Sequence, residues 1–438
     1  MGARARRSGG ERTYYALLVT QTVSVIGSTV SIVCVAIAVF QATGRVTPLA
    51  LIHLFQVLPT ILAGGVAGAL ADRLDRRIAM LIANLGFVAC SGLLLAAFAS
   101  GDFRLWQLYA LSFAGALFAT LERPAFQASV VMLVAEKRRD RANALAQLAG
   151  PVGRIAGPAL GGLLYAVIGV TGAIAFDIAT FLVAVVVLLL VRIPSPAASG
   201  EGRAMGGALW RQAFDGVRYL MQRPVLMAFC GYGALTSFLV GGVLGVGDAY
   251  ILFRSGSGEA MGFVFAALNV GAAAGAFSMS VWGGTRPRIH TVFLSAVAGD
   301  VFLALAGVAR DGVWLSAAFF GFMFVAPFGA AATASILQAK IAPDLQGRVF
   351  AAIRQIGAVL TPIAYVFGGP LADRVFEPAR RLPAWRWAAW ALGDGPGAGV
   401  GLMFVIAGAL ALLVTLAFYA SPSIRNLEEI LPDHGATA

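Results

Sequence analysis

Long apolar runs separated by short polar breaks fill the chain from residue 15 to residue 420. Charged residues collect in the breaks, and each run is close to the ~20 helical residues that cross a bilayer core. The strict polar and apolar alternation of a membrane barrel is missing from these runs. The pattern therefore predicts an all-α membrane protein whose helices cross the bilayer about twelve times.

The predicted spans form two sets of six. The first six cover residues 15–41, 48–70, 78–99, 105–127, 142–168 and 170–192, and the second six cover 224–252, 259–284, 291–310, 313–338, 347–372 and 397–420. Prolines and glycines open the region between the sets, which then becomes amphipathic and is expected to lie on the membrane surface. We expect a tail at 1–14, a six-helix bundle at 15–192, a linker at 193–223, a second bundle at 224–420 and a tail at 421–438.

Composition supports a membrane protein and excludes several kinds of site. Hydrophobic residues make up 59% of the 438 residues and charged residues only 12%, about half the charged share of an ordinary soluble domain. The mean hydropathy is +0.84. Three cysteines fall inside apolar spans and three histidines are scattered, so we expect no metal site.

The net charge of +11 comes from basic loops, which set the orientation of a membrane protein. Arginines and lysines crowd the tail at 1–14, the connection after the second span and the connection at 134–141. These loops are expected to be cytoplasmic, which places both termini inside. The arginine-rich segment 374–396 then falls outside, and we interpret it as an interfacial helix with Trp385, Trp387 and Trp390 at the headgroups; a miscounted crossing is the alternative.

The two halves of the chain match each other at a fixed offset. A shift of 207 residues without gaps places Arg141 on Arg348 and the glycine pair 161–162 on the pair 368–369. A second, weaker echo relates ALADRL at 69–74, at the inner end of the second span, to PLADRV at 370–375, at the outer end of the eleventh. The first match predicts that the two six-helix halves arose by duplication. The second suggests that each half contains two three-helix repeats of inverted orientation.

Two motifs carry a family resemblance. GALADRLDRR at 68–77 resembles the loop between helices 2 and 3 of the major facilitator superfamily, although Asp75 stands where that loop has a glycine. GRIAGPALGG at 153–162 resembles the helix-5 signature of antiporters in the same superfamily. RPAFQASVVMLV with RANALAQ, and APDLQGRVF, are similar to its bacterial exporters of enterobactin and macrolides. The resemblance implies two pseudo-symmetric six-helix bundles, with helices 1, 2, 4, 5, 7, 8, 10 and 11 around a central cavity.

The loop motif is expected to act as a conformational gate. Asp72 is expected beside the start of helix 11 on the inner face, where a carboxylate would be attracted to the positive end of that helix. We interpret the loop arginines as having two roles: they contribute to the latch, and their positive charge marks the loop as cytoplasmic. Because the 207-residue shift places Asp72 on Met279, the latch is expected in the first half only. The gate residues are Gly68, Asp72, Arg73, Arg76 and Arg77.

The helix-5 motif is expected to form a grooved, bent helix. Gly153, Gly157 and Gly161 recur every four residues and share one face, which permits close packing against a neighbour. Pro158 lacks a backbone N–H and is expected to kink the helix. Such a helix would bias which side of a transporter closes, whereas ordinary small-residue packing is the alternative. Arg154 and Gly162 complete the motif.

Ionisable residues inside the spans are the candidates for proton coupling, because each is costly in a membrane unless it is paired or hydrated. Glu122, Asp177 and Asp300 are the carboxylates deepest in the predicted spans. A static ion pair, such as Glu122 with Arg123 or Arg154, is the alternative to proton exchange. The possible charge partners are Arg123, Arg154 and Arg354.

The predicted function is export of a lipophilic or amphipathic small molecule, such as a drug, siderophore or natural product, by alternating access and proton antiport. An importer or a lysophospholipid flippase of the same fold is the alternative within transport. A membrane-embedded enzyme is disfavoured, because no paired catalytic constellation is present in the sequence. The Walker motif is absent, so we expect no cofactor and a proton gradient as energy source. We expect a monomer in the cell membrane with no nucleic-acid partner, and we assign no substrate-binding residues.

Overall fold

The computed structural model describes residues 2–73, 75–134, 139–191, 193, 218–341 and 343–431. Side chains are not described at 2–9, 63–73 and 258–259, nor at scattered positions between 128 and 159 and between 342 and 359. Most of the predicted amphipathic part of the linker lies outside these residues. The described chain is helical, and it contains no strand within those ranges.

Five helices precede the linker, and each follows a long apolar run. They are α1 (Gly2–Thr43), α2 (Thr47–Arg73), α3 (Arg76–Ala99), α4 (Leu105–Leu133) and α5 (Arg139–Leu190). Helix α5 contains both the fifth and the sixth predicted spans and departs from helical dihedrals at Gly169, with φ 63° and ψ −172°. A glycine tolerates this positive φ, so the chain can turn there between two crossings.

The helices after the linker follow the second set of predicted spans. Helices α6 and α7 together correspond to the seventh span, and α14 corresponds to the twelfth. The helices are α6 (Pro224–Leu244), α7 (Gly247–Ser255), α8 (Gly258–Trp282), α9 (Ile289–Gly307), α10 (Gly312–Lys340), α11 (Pro343–Leu371), α12 (Glu377–Ala379), α13 (Arg386–Leu392), α14 (Ala398–Ala420), α15 (Pro422–Arg425) and α16 (Leu427–Ile430). A π-helical turn, Ala372–Phe376, joins α11 to α12.

Nine helical segments of the described chain are long and apolar enough to cross a membrane, and Thr47–Leu62 is a shorter apolar helix. The chain is therefore a multi-pass membrane protein, as its hydropathy predicted. The count of twelve crossings stays a prediction, because only the described ranges bear on it.

The contacts divide the chain into two compact units. The first consists of Met1–Gly44 and Leu51–Gly206, and the second of Arg45–Ala50 and Gly207–Ala438. The start of α2 thus groups with the second unit, while the rest of that helix groups with the first. In the first unit, the buried Tyr14 of α1 packs among apolar side chains of α3 and α4 and donates its hydroxyl to the backbone oxygen of Ala142, 2.8 Å away.

The C-terminal turns are fastened to the second unit. Glu428 accepts a hydrogen bond from the backbone N–H of Ile289 at the start of α9, at 2.9 Å. Lys340, at the end of α10, donates to the backbone oxygens of Glu428 and Leu431. The buried Leu427 packs in the same apolar cluster as Ile289. These contacts satisfy free backbone groups at two helix ends, the start of α9 and the end of α16.

The segment between α11 and α14 forms short helices, and one part of its prediction is wrong. Trp387 and Trp390 are exposed, at 66% and 79%, as expected for side chains at a membrane interface. Trp385 is only 5% exposed and donates its indole N–H to the backbone oxygen of Gly393 at 3.0 Å. Its ring fills the small core beneath α13, so it is not available to headgroups.

Candidate functional site: carboxylates buried between helices

Glu122 lies on α4 with 7% of its surface exposed. Its carboxylate accepts a hydrogen bond from the side-chain amide of Asn84 on α3, 2.9 Å away, and Gln21 on α1 is a second side-chain partner. The Asn84 amide also donates to the backbone oxygen of Met80, while its own side-chain oxygen is buried without a hydrogen-bond partner in the described structure. Glu122 on α4 is therefore bonded to neutral amide side chains from α1 and α3.

The static ion pair between Glu122 and Arg123, considered as the alternative to proton exchange, is not formed. Arg123 follows Glu122 on the helix, and its side chain is exposed. Within the described ranges, an ion pair joins Arg380 to Glu377 of α12. The side chains of Arg154 and Arg354 lie outside the described residues, so their pairing stays a prediction.

Asp177 lies on the second half of α5 with 4% exposure. One carboxylate oxygen accepts from the hydroxyl of Ser28 on α1 at 2.9 Å, and the other accepts from the hydroxyl of Ser91 on α3 at 3.0 Å. Both oxygens therefore have partners, and the three helices meet at this point. Without such donors, the free-energy cost of burying a carboxylate would be much larger.

Asp300 lies on α9 with 5% exposure. It accepts a hydrogen bond from the hydroxyl of Thr415 on α14 at 2.8 Å. The Thr415 oxygen is also 3.2 Å from the hydroxyl of Tyr232 on α6. This short hydrogen-bonded chain connects α6, α9 and α14.

The Asp177 and Asp300 clusters occupy corresponding sets of helices in the two halves. Asp177 joins predicted spans 1, 3 and 6, and Asp300 joins spans 7, 9 and 12. The carboxylate lies on span 6 in the first half and on span 9 in the second, so the 207-residue shift does not superpose the two residues. The comparison of the two halves by a 207-residue shift missed this correspondence, because it aligns single positions and carries no information on which helices contact each other.

The gate loop is described only in part. Gly68, Asp72 and Arg73 lie in a stretch whose side chains are outside the described structure, so the latch at Asp72 stays a prediction. Asp75 accepts hydrogen bonds from the backbone N–H groups of Arg77 and Ile78, at 2.9 and 3.3 Å. The residue that departs from the family motif is therefore the N-cap of α3.

The arginines of this loop have different surroundings. Arg77 donates to the backbone oxygens of Leu188 and Leu189, at 2.7 and 2.8 Å, and so caps the end of α5. Arg76 is half-buried at the start of α3. Arg77 therefore connects two helices of the first unit through free carbonyl groups, a structural role that differs from hydration at the surface.

The glycines of the helix-5 motif pack directly against α1. A Cβ on Gly153 or Gly157 would overlap the side chains of Val25 or Thr29, and one on Gly161 would lie 3.2 Å from the Cβ of Val33. The three partners recur every four residues, so the two helices contact along matching faces. Gly162 and Pro158 are buried, and α5 continues past Pro158 to its dihedral break at Gly169.

One carboxylate contact was not predicted. Asp373, in the π-helical turn after α11, accepts hydrogen bonds from the backbone N–H groups of Val46 and Thr47, both at 2.8 Å, and from the Thr47 hydroxyl at 2.6 Å. These residues form the start of α2. The echo of residues 69–74 at 370–375 was the only sequence signal for this position.

Comparison with protein families agrees with this architecture. Residues 17–365 match the family model described as Major Facilitator Superfamily. The match covers both sets of helices as far as α11, including Glu122, Asp177 and Asp300.

Similar proteins include three bacterial transporters. The chain is 27% identical over 420 residues to the MFS-type transporter YfiS of Bacillus subtilis, which covers 91% of each chain. It is 23% identical to macrolide efflux protein A of Streptococcus pyogenes, over 83% of this chain and 90% of the relative. It is 27% identical to the enterobactin exporter EntS of Shigella boydii, over 68% of this chain and 74% of the relative.

Solved structures with a similar fold are also transporters. A bacterial homologue of the human lysosomal transporter Spinster superposes with a TM-score of 0.65 at 15% identity, over 95% of this chain and 99% of that one. At this identity the likeness concerns the fold alone.

Proposed function

Since the chain belongs to the Major Facilitator Superfamily and is a membrane transporter rather than an enzyme, we propose that it exports a lipophilic or amphipathic small molecule from the cytoplasm by proton antiport. The direction is supported by the relatives named as efflux proteins and exporters. Both termini are cytoplasmic in this proposal. The predicted spans place them on the same side of the membrane as the arginine- and lysine-rich loops, and such loops are normally cytoplasmic.

Glu122 is the residue to which we assign proton exchange. It lies on the fourth span, one of those that the family resemblance places around the cavity, and it is 7% exposed. Its partners among the described side chains are the neutral amides of Asn84 and Gln21. A carboxylate in this setting can take up a proton on one side of the membrane and release it on the other as access alternates.

The neighbouring Asn84 supports this assignment. Its side-chain oxygen is buried and lacks a hydrogen-bond partner among the described groups, which is unusual in a folded protein. The amide group of Asn84 donates to the Glu122 carboxylate at 2.9 Å, so a neutral donor stabilises the buried acid. The single observation that carries the proposal is a carboxylate buried on a helix of the expected cavity set and bonded to a neutral side-chain amide.

Asp177 and Asp300 are assigned a secondary role. Asp177 on predicted span 6 and Asp300 on span 9 lie on helices outside the set expected around the cavity, and each accepts hydrogen bonds from hydroxyl groups. We therefore propose that they stabilise their bundles and that transport does not require their titration.

The test uses proteoliposomes with an imposed pH gradient and, in turn, a macrolide and enterobactin as probes. Addition of a transported probe should trigger proton movement in the wild-type protein. Glu122→Gln should abolish that movement, and the double variant Asp177→Asn with Asp300→Asn should retain it. The exposed Asp394→Asn is the control for handling and reconstitution.

Other results would contradict parts of the proposal. Proton movement that persists in the triple variant of Glu122, Asp177 and Asp300 would show that none of them couples protons. Loss in the double variant alone would transfer the role to the hydroxyl-bound aspartates. Probe movement that ignores the gradient would contradict proton antiport itself.

A further inference from the structure

Asp373 holds the first turn of α2 through three hydrogen bonds. Its Oδ1 accepts from the N–H of Val46, and its Oδ2 accepts from both the N–H and the hydroxyl of Thr47. The partners are 326 and 327 residues away along the chain. Both carboxylate oxygens are therefore engaged with the start of a single helix.

This contact supplies what α2 cannot supply for itself. The first N–H groups of a helix have no partner within the helix, and the partial positive charge of that end attracts an anion. Most helices meet this need with a nearby side chain just before the first turn. Here a carboxylate from a distant helix meets it, so the cap is also a tertiary connection.

The backbones approach closely one turn before Asp373. A Cβ on Gly369 would lie 2.7 Å from the Cα of Thr47 and 3.1 Å from the Cβ of Ala50. Val46 and Ala50 are both 0% exposed. The end of α11 and the start of α2 therefore form a sealed contact, fastened by Asp373.

The position of this contact mirrors the gate expected at the opposite face. ALADRL at 69–74 ends α2, and PLADRV at 370–375 ends α11. Asp72 was expected to face the start of helix 11, whereas Asp373 binds the start of α2. Each of the two helices thus ends in a similar short motif, expected at opposite membrane faces, and the helix that supplies the carboxylate in one contact is the helix that is capped in the other.

We propose that Asp373 is a conformational latch that holds the face opposite the termini closed and releases when that face opens. The inference rests on the proposed alternating access. Helix α2 passes from the second compact unit to the first between Ala50 and Leu51. The cap joins the first turn of α2 to α11 within the second unit, on a helix that continues into the first unit, and in this proposal Asp72 is its counterpart at the other end of α2.

The test measures opening directly and needs no substrate. Val46→Cys is introduced into protein whose Cys34, Cys90 and Cys230 are replaced by alanine, and the purified full-length protein is reconstituted in lipid nanodiscs. Cysteine is smaller than valine, and the backbone N–H of residue 46 is kept. The rate of labelling by a water-soluble maleimide reports how often the buried position becomes exposed.

Asp373→Asn should raise the labelling rate roughly tenfold, the change expected when about one charge-assisted hydrogen bond is lost from the closed state. Gly369→Ala, which leaves Asp373 in place, should raise it as well by forcing the helices apart. The matched controls are Asp394→Asn, an exposed carboxylate in the loop after α11, and Gly241→Ala, where an added Cβ meets no atom within 4 Å.

An unchanged labelling rate in Asp373→Asn would overturn the latch, whatever the glycine variant does. Equal increases in the two controls would also overturn it, because the effect would then be general loosening. Failure of proton antiport in the liposome test leaves this measurement intact, since no gradient or probe enters it. The two proposals can therefore fail separately.

Discussion

At the scale of single residues, the buried carboxylates differ in what surrounds them. Asp177 and Asp300 are satisfied by hydroxyl donors, whereas Glu122 lies between amides, one of which leaves an oxygen unpaired. Hydroxyl and amide donors allow a carboxylate to remain buried without a cation. The partners determine the assigned role of each acid, which residue type alone does not distinguish.

Asp177→Ala should lower the stability of the protein by about 1–3 kcal/mol, because the hydroxyls of Ser28 and Ser91 would lose their buried acceptor. Asp177→Asn, which keeps an acceptor oxygen and the volume, should lose less. The measurement is the thermal unfolding midpoint in detergent, with the exposed Asp102→Ala as the control. An Asp177→Ala midpoint equal to that of the control would contradict the structural role of this cluster.

At the scale of the elements, close glycine contacts determine which helices pack together. The face of α5 bearing Gly153 and Gly157 fits against Val25 and Thr29 of α1. In the second unit, Gly271 and Gly275 of α8 meet the backbone of α10 in the same way. Without a hydrophobic driving force inside a bilayer, such backbone approach is a main source of helix association.

Gly153→Ala should destabilise the protein, because the new methyl group would overlap the Val25 side chain. The expected loss is about 1–3 kcal/mol, typical of overpacking in a close contact. Adding Val25→Ala should restore part of it, since the Cγ1 atom that meets the new methyl is then removed. Gly115→Ala on α4 is the control, with open space at the added Cβ. A double variant no more stable than Gly153→Ala would contradict the contact as the cause.

At the scale of the whole molecule, we propose that the ends of α2 and α11 influence how the transporter changes state. In our proposals, Asp72 closes one membrane face and Asp373 the other, so the two latches are engaged in different states. A ligand or gradient shifts such an equilibrium only as far as it favours one state over the other. Weakening either latch should therefore change the transport rate at a loss of free energy too small to reduce the amount of folded protein.

Asp72→Asn should slow transport of a responsive probe while expression and thermal stability stay near wild type. The physical reason is loss of the charge that favours the start of helix 11, worth about 0.3–2 kcal/mol. Initial rates in proteoliposomes give the measurement, with Asp102→Asn as a second aspartate variant at an exposed site. A fully active Asp72→Asn would refute the inner latch.

The amino-acid sequence alone determined the helical class, the order of the helices, the break near Gly169 and the family. These follow from hydropathy and short motifs, which are local properties. The tertiary structure decided the partners. Asp177 meets residues 86 and 149 positions away, and Asp373 meets residues more than 300 positions away.

The sequence therefore identified Glu122, Asp177 and Asp300 as buried acids, but it did not distinguish Glu122, to which we assign proton coupling, from the other two. It also missed the contact of Asp373 with the start of α2. It also placed Trp385 at the interface, although that ring is buried beneath α13. The physical reason is the same in each case. Burial in a membrane protein makes a polar group depend on specific hydrogen-bond donors, and packing alone decides which distant helix brings them within reach.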